Sequence, residues 1–460
     1  MYLDQAGGVG AAPASGPPLE IAVIGSGISG LSAAWLLAKR HRVTLFEADG
    51  RIGGHSHTVD VAGIPVDTGF IVYNERTYPN LTAMLRHLNV ASTQTEMSFA
   101  VSLDGGACEY SGSGLRGVFA QKRNMLRPRF WTMLRDLLRF YREAPGDLAW
   151  LGDESLEAYL NRAGYSAAFR EDHLYPMAAA IWSSPALGIR NYPAAAFIAF
   201  CQNHALLQTG QRPPWHTVQG GSRSYVQALH EQFSGTVRSG MAVRQITREI
   251  GGVTLVTDQG PQRFDHVVIA AHADQALAML ADPDDAERTL MGKFAYSTNH
   301  AVLHSDPRLM PQCRQVWSAW NFLQDGESGT GSAVTYWMNR LQQLNTAVPL
   351  LVTLNPHTPP DPALVHWQGT YSHPLFDAAA IAAQRELWSL QGRHNTWFCG
   401  AYFGAGFHED GLQAGLAVAE QLGGGRRPWQ VAEPSGRIHV QPRQPAVASV
   451  RATVLASALA

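Results

Sequence analysis

Residues 21–30 have the sequence Ile21-Ala22-Val23-Ile24-Gly25-Ser26-Gly27-Ile28-Ser29-Gly30, in which an apolar run breaks into three glycines. The apolar run predicts a buried strand, and the small and apolar residues that follow predict a helix. We expect Gly25 to form the turn, Gly27 to admit a pyrophosphate close to the backbone, and Gly30 to let the helix pack on the strand. Free N–H groups and the helix dipole would then attract the phosphates.

A second strand strengthens the prediction of a dinucleotide site. It has the sequence Val43-Thr44-Leu45-Phe46-Glu47 and ends in a carboxylate. That carboxylate lies about twenty residues beyond the glycines, where folds of this kind bind a ribose hydroxyl. Glu47 is therefore the expected ribose ligand. The alternative is an ordinary acidic residue at the end of a strand.

The stretch that follows narrows the choice of dinucleotide. Residues 47–55 match the pattern E-x-x-x-R-x-G-G, ending in His55. This pattern resembles the flavoprotein superfamily that includes monoamine oxidases, protoporphyrinogen oxidase and phytoene desaturases. The resemblance implies FAD as cofactor and an α/β fold of two domains, a Rossmann-type FAD-binding domain and a mixed α+β substrate domain. Arginine is commoner at position 55, so we expect a weaker or pH-dependent cationic contact there.

A second glycine-rich block lies near the end of the chain, where residues 396–419 predict a strand, a loop and a helix of small residues. The superfamily closes its FAD site in this way, with the helix N-terminus directed at the flavin pyrimidine. The resemblance implies these cofactor contacts: Gly25, Ser26, Gly27, Ile28, Ser29, Gly30, Glu47, Ala48, Arg51, Gly53, Gly54, His55, Gly69, Phe70, Val243, Gly400, Asp410, Gly411 and Leu412.

The motifs predict a discontinuous domain organisation. We expect a disordered leader over 1–18 and a mobile tail over 426–460. The FAD-binding domain is expected to combine 19–75, 217–299 and 391–425, and the substrate domain 76–216 and 300–390, the first of these two largely helical. Two apolar segments, 175–184 and 197–204, are candidates to line a hydrophobic pocket.

Composition excludes several classes of protein. The net charge of −2 and the apolar content of 45% are ordinary for a globular protein and give no indication of nucleic-acid binding. No apolar run approaches the roughly 18 residues needed to span a bilayer. The four cysteines are scattered and form no CxxC pair. This pattern argues against a disulfide framework or a zinc site, and it predicts a location in the reducing cytoplasm.

A basic segment interrupts this ordinary composition. Residues 115–143 carry eight basic residues against two acidic ones, interleaved with aromatic and aliphatic side chains. Such a segment can lie on an anionic membrane surface, giving peripheral contact with the inner membrane. The alternative is a helix with its apolar residues in the core and its arginines in water.

Two departures from the superfamily pattern count against an amine substrate. Amine oxidases commonly place a lysine beside the flavin, at a position that falls near Ala301 in this sequence. The chain has only three lysines, and Lys293, the nearest, lies several residues too early. Phe407 also replaces a tyrosine of the amine oxidases.

The segments 406–412 and 215–225 resemble a bacterial subgroup of FAD-binding proteins associated with cyclopropane-fatty-acid-synthase-like methyltransferases. That resemblance implies oxidation or desaturation of a fatty-acyl lipid, with His408, Glu409 or His300 near the proton that leaves. His408 and Glu409 have a structural alternative, as a support for the flavin loop and as a helix cap. Alternative functions are an oxidase of amines, porphyrin-like or carotenoid-like compounds, and a non-catalytic flavoprotein partner of a lipid methyltransferase.

Overall fold

The computed structural model describes residues 16–182, 186–208, 213–325 and 332–442. Most of the expected leader and the last part of the expected tail lie outside these ranges. The strands are β1 (Glu20–Ile24), β2 (Arg42–Phe46), β3 (Thr58–Val61), β4 (Ile64–Asp67), β5 (Val72–Asn74), β6 (Ser92–Thr95), β7 (Phe99–Leu103), β8 (Cys108–Ser111), β9 (Trp215–Val218), β10 (Thr236–Arg238), β11 (Val243–Glu249), β12 (Gly252–Thr257), β13 (Gly260–Phe264), β14 (His266–Ile269), β15 (Ala295–His304), β16 (Trp320–Gln324), β17 (Ser332–Trp337), β18 (Leu351–Leu354), β19 (Val365–Leu375) and β20 (Thr396–Phe398).

The α-helices are α1 (Ile28–Leu37), α2 (Pro79–His87), α3 (Gly114–Val118), α4 (Pro128–Asp147), α5 (Leu156–Arg162), α6 (Ala167–Phe169), α7 (Tyr175–Trp182), α8 (Ala186–Arg190), α9 (Ala194–Asn203), α10 (Arg223–Glu231), α11 (Ala273–Met279), α12 (Asp285–Met291), α13 (Met338–Leu341), α14 (Ala378–Gln384) and α15 (His408–Leu422). A π-helical turn, Arg170–Leu174, joins α6 to α7. No helix in the described part of the chain combines the length and the apolar character needed to cross a bilayer.

A five-stranded parallel sheet forms the first layer, in the order β10-β2-β1-β14-β20. Its strands come from the start, the middle and the end of the chain. Parallel sheets are covered on both faces, which is why β1 is a continuous apolar run with four of its five residues buried. The glycine loop begins at residue 25, at the carboxyl end of β1. Open α/β sheets bind ligands at the edge formed by the carboxyl ends of their strands.

Helices α1 and α15 pack against each other beside this sheet. Their contact is close because glycines stand where they meet. A Cβ atom on Gly415 would lie 2.1 Å from the carbonyl oxygen of Ser29, and one on Gly411 would lie 2.8 Å from the Ser29 hydroxyl. The small residues predicted for the last helix therefore bring its first turn beside the first turn of α1.

A seven-stranded mixed sheet forms the second layer, in the order β19-β15-β18-β17-β16-β7-β8. It has its own hydrophobic core, which includes Val101, Leu303 and Val352. Strands β6, β7 and β8 lie in the range 76–216, which we expected to be largely helical. They are short and carry buried polar residues such as Glu109, so their sequence shows little apolar alternation.

The expected boundary at residue 300 falls inside β15, which pairs with β19 along its whole length. The meander predicted from the sequence between 241 and 271 is present as β11, β12 and β13, and β14 returns to the parallel sheet.

Residues 426–442 are not the mobile tail that the sequence suggested. The Trp429 ring stacks on Trp35 with 6.0 Å between centroids, and Ile438 is buried. Arg427 forms an ion pair with Glu420 at 2.8 Å. The expectation was wrong here because these contacts are tertiary and leave no periodic pattern in the local sequence.

Candidate cofactor and substrate site

One cavity of about 1190 Å³ extends from the carboxyl edge of the parallel sheet to the seven-stranded sheet. Its first part is lined by the loop between β1 and α1, the end of β2 and the start of β11. Its middle is lined by the loop before β5, the end of β19 and the loop before α15. The far part, called the substrate arm below, lies among α7, α9, β7, β16 and β17.

The first part of the cavity has the geometry predicted for the glycine loop. Gly25 has a φ of 95°, and its N–H donates to the Phe46 carbonyl at 2.8 Å. A Cβ on Gly30 would lie 1.9 Å from the Gly25 carbonyl oxygen, so only glycine allows this approach of helix to turn. A Cβ on Gly27 would meet nothing within 4 Å, which leaves open space in front of the N-terminus of α1.

Polar groups next to this space fit a dinucleotide. The Glu47 carboxylate lines the cavity and accepts the N–H groups of Ser26 and Asp49, each at 2.9 Å. Arg51 also lines the cavity, and its Nη1 is buried without a hydrogen-bond partner among the described residues. A buried guanidinium nitrogen without an acceptor is costly, and a phosphate oxygen satisfies it. These residues would hold the ribose and pyrophosphate of the cofactor.

Several further predicted contacts line the same cavity. They are Ile28, Ser29, Ala48, Gly54, His55, Gly69, Phe70, Val243 and Gly400. In the middle of the cavity the His408 ring stacks on Phe70, with 3.9 Å between centroids and 11° between planes. The Nε2 of His408 is 2.7 Å from the Tyr225 hydroxyl, which in turn is hydrogen-bonded to the Ser56 hydroxyl. The first residue of α15 is thus fixed by contacts on two sides.

Four histidines face one another around this region: His55, His272, His373 and His408. Burial lowers the pKa of His408 to about 3, and burial followed by His272 lowers the pKa of His373 to about 4. Burial, with His373, His272 and His408 nearby, lowers the pKa of His55 to about 3. His55 is therefore neutral at pH 7 and does not provide the cationic contact that arginine provides at this position.

The structure separates the three candidate proton acceptors. Only His408 lines the cavity. Glu409 points away from it, and its carboxylate accepts the N–H groups of Asn80 and Leu81 at 3.0 and 2.9 Å. His300 is exposed on β15 and lies outside the cavity lining. Glu409 therefore has a structural role, but it caps the start of α2 and not the last helix, as the alternative had it; the prediction for His300 was wrong.

Five predicted cofactor contacts do not line the cavity: Gly30, Gly53, Asp410, Gly411 and Leu412. Gly30 and Gly411 serve close packing. Gly53 has a φ of 115°, and its N–H donates to the Ser26 carbonyl, so it shapes the loop. Asp410 caps α15 through the Phe407 N–H at 2.8 Å, and Leu412 lies in the core. These residues support the site from behind its wall.

The substrate arm is lined mainly by apolar and aromatic side chains, and its described walls contain no aspartate, glutamate, lysine or arginine, although His173 and His204 are among them. Its lining includes Met97, Phe99, Met177, Ile181, Leu206 and Trp320. Phe200 stacks on Phe407 with 4.9 Å between centroids, and Trp182 lies 4.6 Å from Phe200. The charged residues of the cavity, Glu47, Asp49 and Arg51, all lie at the dinucleotide end. The segment 175–184 was predicted to line a hydrophobic pocket, and two of its residues, 183 and 184, lie outside the described ranges.

No lysine lines the cavity, and all three lysines of the chain are described. Ala301, where the amine-oxidase lysine was expected to align, is buried on β15 and pairs with Leu354 of β18. Lys293 is exposed in the turn after α12. Both observations agree with the reasoning from the sequence.

Four residues of the site were missed by the sequence analysis: His272, Tyr296, Tyr371 and His373. Tyr296 stacks on His272 with 4.4 Å between centroids, and the Tyr371 hydroxyl is 2.7 Å from that of Thr68. They come from β15, β19 and the loop after β14. Only strand pairing between distant segments brings them together, and the local sequence shows no motif for it.

A parallel sheet with a glycine loop and a carboxylate at the end of its second strand, joined to a second mixed sheet that encloses the same cavity, defines a two-domain flavoprotein fold. Residues 28–312 match the family model of flavin containing amine oxidoreductases. The chain belongs to this family, whose cofactor is FAD, and the residues around Gly27 and Arg51 fit that cofactor.

Individual proteins agree with this assignment. The chain is 28% identical over 280 residues to a protein of Mycobacterium tuberculosis named flavin-containing monoamine oxidase AofH. The match covers 58% of this chain and 60% of that protein, so the chain spans less than two thirds of its curated relative. Prenylcysteine oxidase 1 of Bos taurus is 23% identical over 270 residues, which are 52% of this chain and 51% of that protein.

Two solved structures share the fold. A fatty acid isomerase of P. acnes has a TM-score of 0.62 and 16% identity, covering 88% of this chain and 97% of that one. Cyclohexylamine oxidase of Brevibacterium oxydans has a TM-score of 0.61 and 17% identity, covering 88% and 100%. The α/β fold with two domains predicted from the sequence is confirmed.

Proposed function

We propose that this protein is an FAD-dependent oxidoreductase that oxidises or desaturates a fatty-acyl or similar lipid-like chain. The observation that carries the proposal is the substrate arm, which continues from the cofactor cradle and has no charged side chain along its described walls. An uncharged, aromatic-lined arm binds a hydrocarbon chain by removing its apolar surface from water.

The same observation weighs against charged amines. A buried ammonium ion requires a carboxylate or several hydrogen-bond acceptors, because burying an uncompensated charge is very costly. The carboxylates that line the cavity, Glu47 and Asp49, lie at the dinucleotide end. Amine oxidation is nevertheless the second candidate, because the chain resembles a protein named monoamine oxidase over more than half of its length.

Bound FAD would supply the acceptor of a hydride from a substrate carbon. The aromatic wall of Trp182, Phe200 and Phe407 would hold the chain against the cofactor and exclude water. His408 would act as a neutral positioning group, since its stacking on Phe70 and its hydrogen bond to Tyr225 fix the start of α15. Burial lowers the pKa of His408 to about 3, which makes it a weak proton acceptor.

A further point supports a lipid substrate. One protein with the same fold is a fatty acid isomerase, and its structure aligns with 88% of this chain. The fold is therefore compatible with binding a long hydrocarbon chain.

The test is an anaerobic titration of the purified holoprotein. Dispersed bacterial phospholipid with unsaturated and methyl-branched chains is added, and the loss of oxidised-flavin absorbance is followed. Mono- and polyamines, porphyrinogens and carotenoid precursors are tested in parallel. Bleaching by lipid alone is the expected result. Bleaching by amines alone would overturn the proposal, and bleaching by porphyrinogens or carotenoid precursors alone would do the same.

Bleaching by none of these compounds would favour a flavoprotein that assists a methyltransferase without turnover. A stable complex whose partner stays active when flavin reduction is blocked would identify that role.

A further inference from the structure

We propose that the outer surface of α3, α4 and the segment between them docks on an anionic phospholipid bilayer, beside an opening of the substrate arm. The surface is called the basic apolar face below. It is defined by the apolar residues Leu115, Met125, Leu126, Trp131 and Leu138 and by the basic residues Arg116, Lys122, Arg123, Arg135 and Arg142. The proposal relies on the proposed function only for the identity of the substrate.

Exposed apolar side chains are concentrated on this face. Nine large hydrophobic residues are strongly exposed in the described part of the chain, and five of them belong to the face. Leu115 is 78% exposed and Leu126 is 87% exposed. Scattered exposed apolar residues are normal in proteins, whereas a cluster marks a surface that contacts a partner or a membrane.

Contacts and sequence spacing relate several of these apolar residues. The Trp131 Nε1 donates to the Met125 carbonyl at 2.8 Å, which fixes the start of α4 against the preceding turn. Phe119 lies 5.4 Å from the Trp131 ring and follows Leu115 by one helical turn. Leu138 follows Trp131 by two turns along α4, so it extends the same stripe.

The charged residues that define this face are all basic. From Tyr110 to Arg135 the sequence contains six basic residues and no acidic one. On α4, Arg135 lies between Trp131 and Leu138, and Arg142 lies one turn beyond Leu138. The side chains of the two arginines are 72% and 74% exposed. They pair with Asp136 and Glu143, whereas no ion pair is found for Arg116 or Lys122 within the described residues.

The opposite side of α4 explains why the helix does not simply bury its apolar residues. Phe130, Met133, Phe140 and Ala144 on the inner side are buried. The inner side of α4 therefore packs its apolar residues in the core, as in the alternative considered for this segment. The outer side carries the exposed apolar residues Trp131 and Leu138 together with basic residues, and this combination suits contact with an anionic membrane surface.

The substrate arm reaches the surface at this face. Gly112 and Ser113, immediately before α3, line the cavity and are exposed, and Tyr141 of α4 lines it as well. A hydrocarbon chain that enters here would pass from the bilayer into the arm without crossing water. An acidic protein partner would also satisfy the charges, but it would give no reason for an apolar arm to open at this place.

The test is co-sedimentation of the holoprotein with vesicles, which requires no turnover. Vesicles of phosphatidylglycerol and phosphatidylcholine in equal amounts are compared with vesicles of phosphatidylcholine alone. We expect binding to the mixed vesicles only, weakened by salt. The Leu115→Asp/Leu126→Asp variant is expected to bind at least tenfold more weakly, and Arg116→Gln/Lys122→Gln about fivefold more weakly for each cation removed.

Matched controls lie on other surfaces. Ile250→Asp/Val348→Asp places the same charges at exposed apolar residues elsewhere, and Arg244→Gln/Arg263→Gln removes two exposed cations. Both control variants are expected to bind like the wild type. Equal loss in the control variants, or no binding of the wild type to either vesicle, would overturn the proposal. A failure of lipid to bleach the flavin would leave this result unaffected, so the two proposals fail separately.

Discussion

The Arg437 guanidinium lies 2.6 Å from the Asp410 carboxylate. Asp410 is fully buried in the first turn of α15, and the side chain of Arg437 is 20% exposed. The same carboxylate caps α15 through the Phe407 N–H. A segment that follows the last helix therefore holds the start of that helix, where Phe407 and His408 line the cavity.

Removing the arginine of this pair should destabilise the protein. Arg437→Met leaves the Asp410 charge buried without its partner, and breaking a buried pair in this way costs about 3 kcal/mol. Arg437→Met/Asp410→Asn should recover part of that loss. Thermal unfolding measures both. Arg244→Met is the control, because its pair with Asp258 is exposed and contributes about 0.5 kcal/mol. Equal losses in Arg437→Met and Arg244→Met would contradict this role.

Gly27→Ala should separate cofactor binding from folding. An added Cβ meets no protein atom within 4 Å, and the φ of −61° suits alanine, so the apoprotein should unfold at an unchanged temperature. The methyl group would occupy space where the cradle admits the pyrophosphate, and the expected loss of FAD affinity is at least tenfold. Gly152→Ala, also in open space, serves as control. Wild-type FAD affinity in Gly27→Ala would refute the assignment of the cradle.

The buried histidines should make the apoprotein sensitive to acid. Burial holds the pKa of His55 and His408 at about 3 and that of His373 and His204 at about 4. The unfolded chain binds these protons near pH 6.5. Their stabilising contribution is therefore complete above about pH 6.5, and each histidine loses up to about 1.4 kcal/mol per pH unit below it. Thermal unfolding between about pH 7 and about pH 5 measures this slope.

A comparison between variants isolates the histidine contribution. Burial raises the pKa of Asp67 to about 6, which stabilises the folded state as the pH falls and partly hides the slope. His55→Phe should flatten the dependence by about one proton, whereas His300→Ala, at an exposed position, should leave it unchanged. A slope identical to the wild type in His55→Phe would show that His55 is protonated when folded.

His408 and His300 should behave differently in turnover. His408→Ala removes the ring that stacks on Phe70 and should slow flavin reduction per bound FAD at least tenfold. Tyr225→Phe keeps that ring but removes the partner of its Nε2, so a smaller loss is expected. His300→Ala should retain the full rate. Bound FAD with full turnover in His408→Ala would exclude a role for His408.

A charge in the substrate arm should block a hydrocarbon chain. Met177 lines the arm, and Met177→Glu would place a carboxylate where the substrate is desolvated. We expect the rate of bleaching by lipid to fall at least tenfold with bound FAD unchanged. Met177→Leu preserves volume and should keep the rate. If Met177→Glu instead gains bleaching by amines, the arm accepts cations and the lipid assignment is wrong.

The parts of the site that follow from local sequence have the backbone geometry that the sequence predicts. The loop at Gly25, the carboxylate of Glu47 and the strand and helix around Gly400 each depend on a short stretch whose backbone needs small or acidic residues. A backbone conformation with positive φ, or a close approach to a neighbouring oxygen, restricts the residue type, and this restriction is visible in one sequence.

The parts that depend on distant contacts were not predictable. His373 reaches the cavity only because β19 pairs with β15. Asp410 differs from its predicted role because it pairs with Arg437, which lies in a segment without hydrophobic periodicity. Nothing in the identity of a histidine or an aspartate indicates whether it faces a cavity or an ion-pair partner. Pairing between distant segments determines this, and one sequence does not reveal it.

The central strand of the parallel sheet has a consequence for synthesis. β1 is synthesised more than two hundred residues before its neighbour β14, and β20, which pairs with β14, follows later still. At about 5–20 residues per second, one edge of this apolar strand waits unpaired for roughly ten to fifty seconds. Unpaired strand edges promote aggregation, so the growing chain needs protection of this edge until β14 has been made.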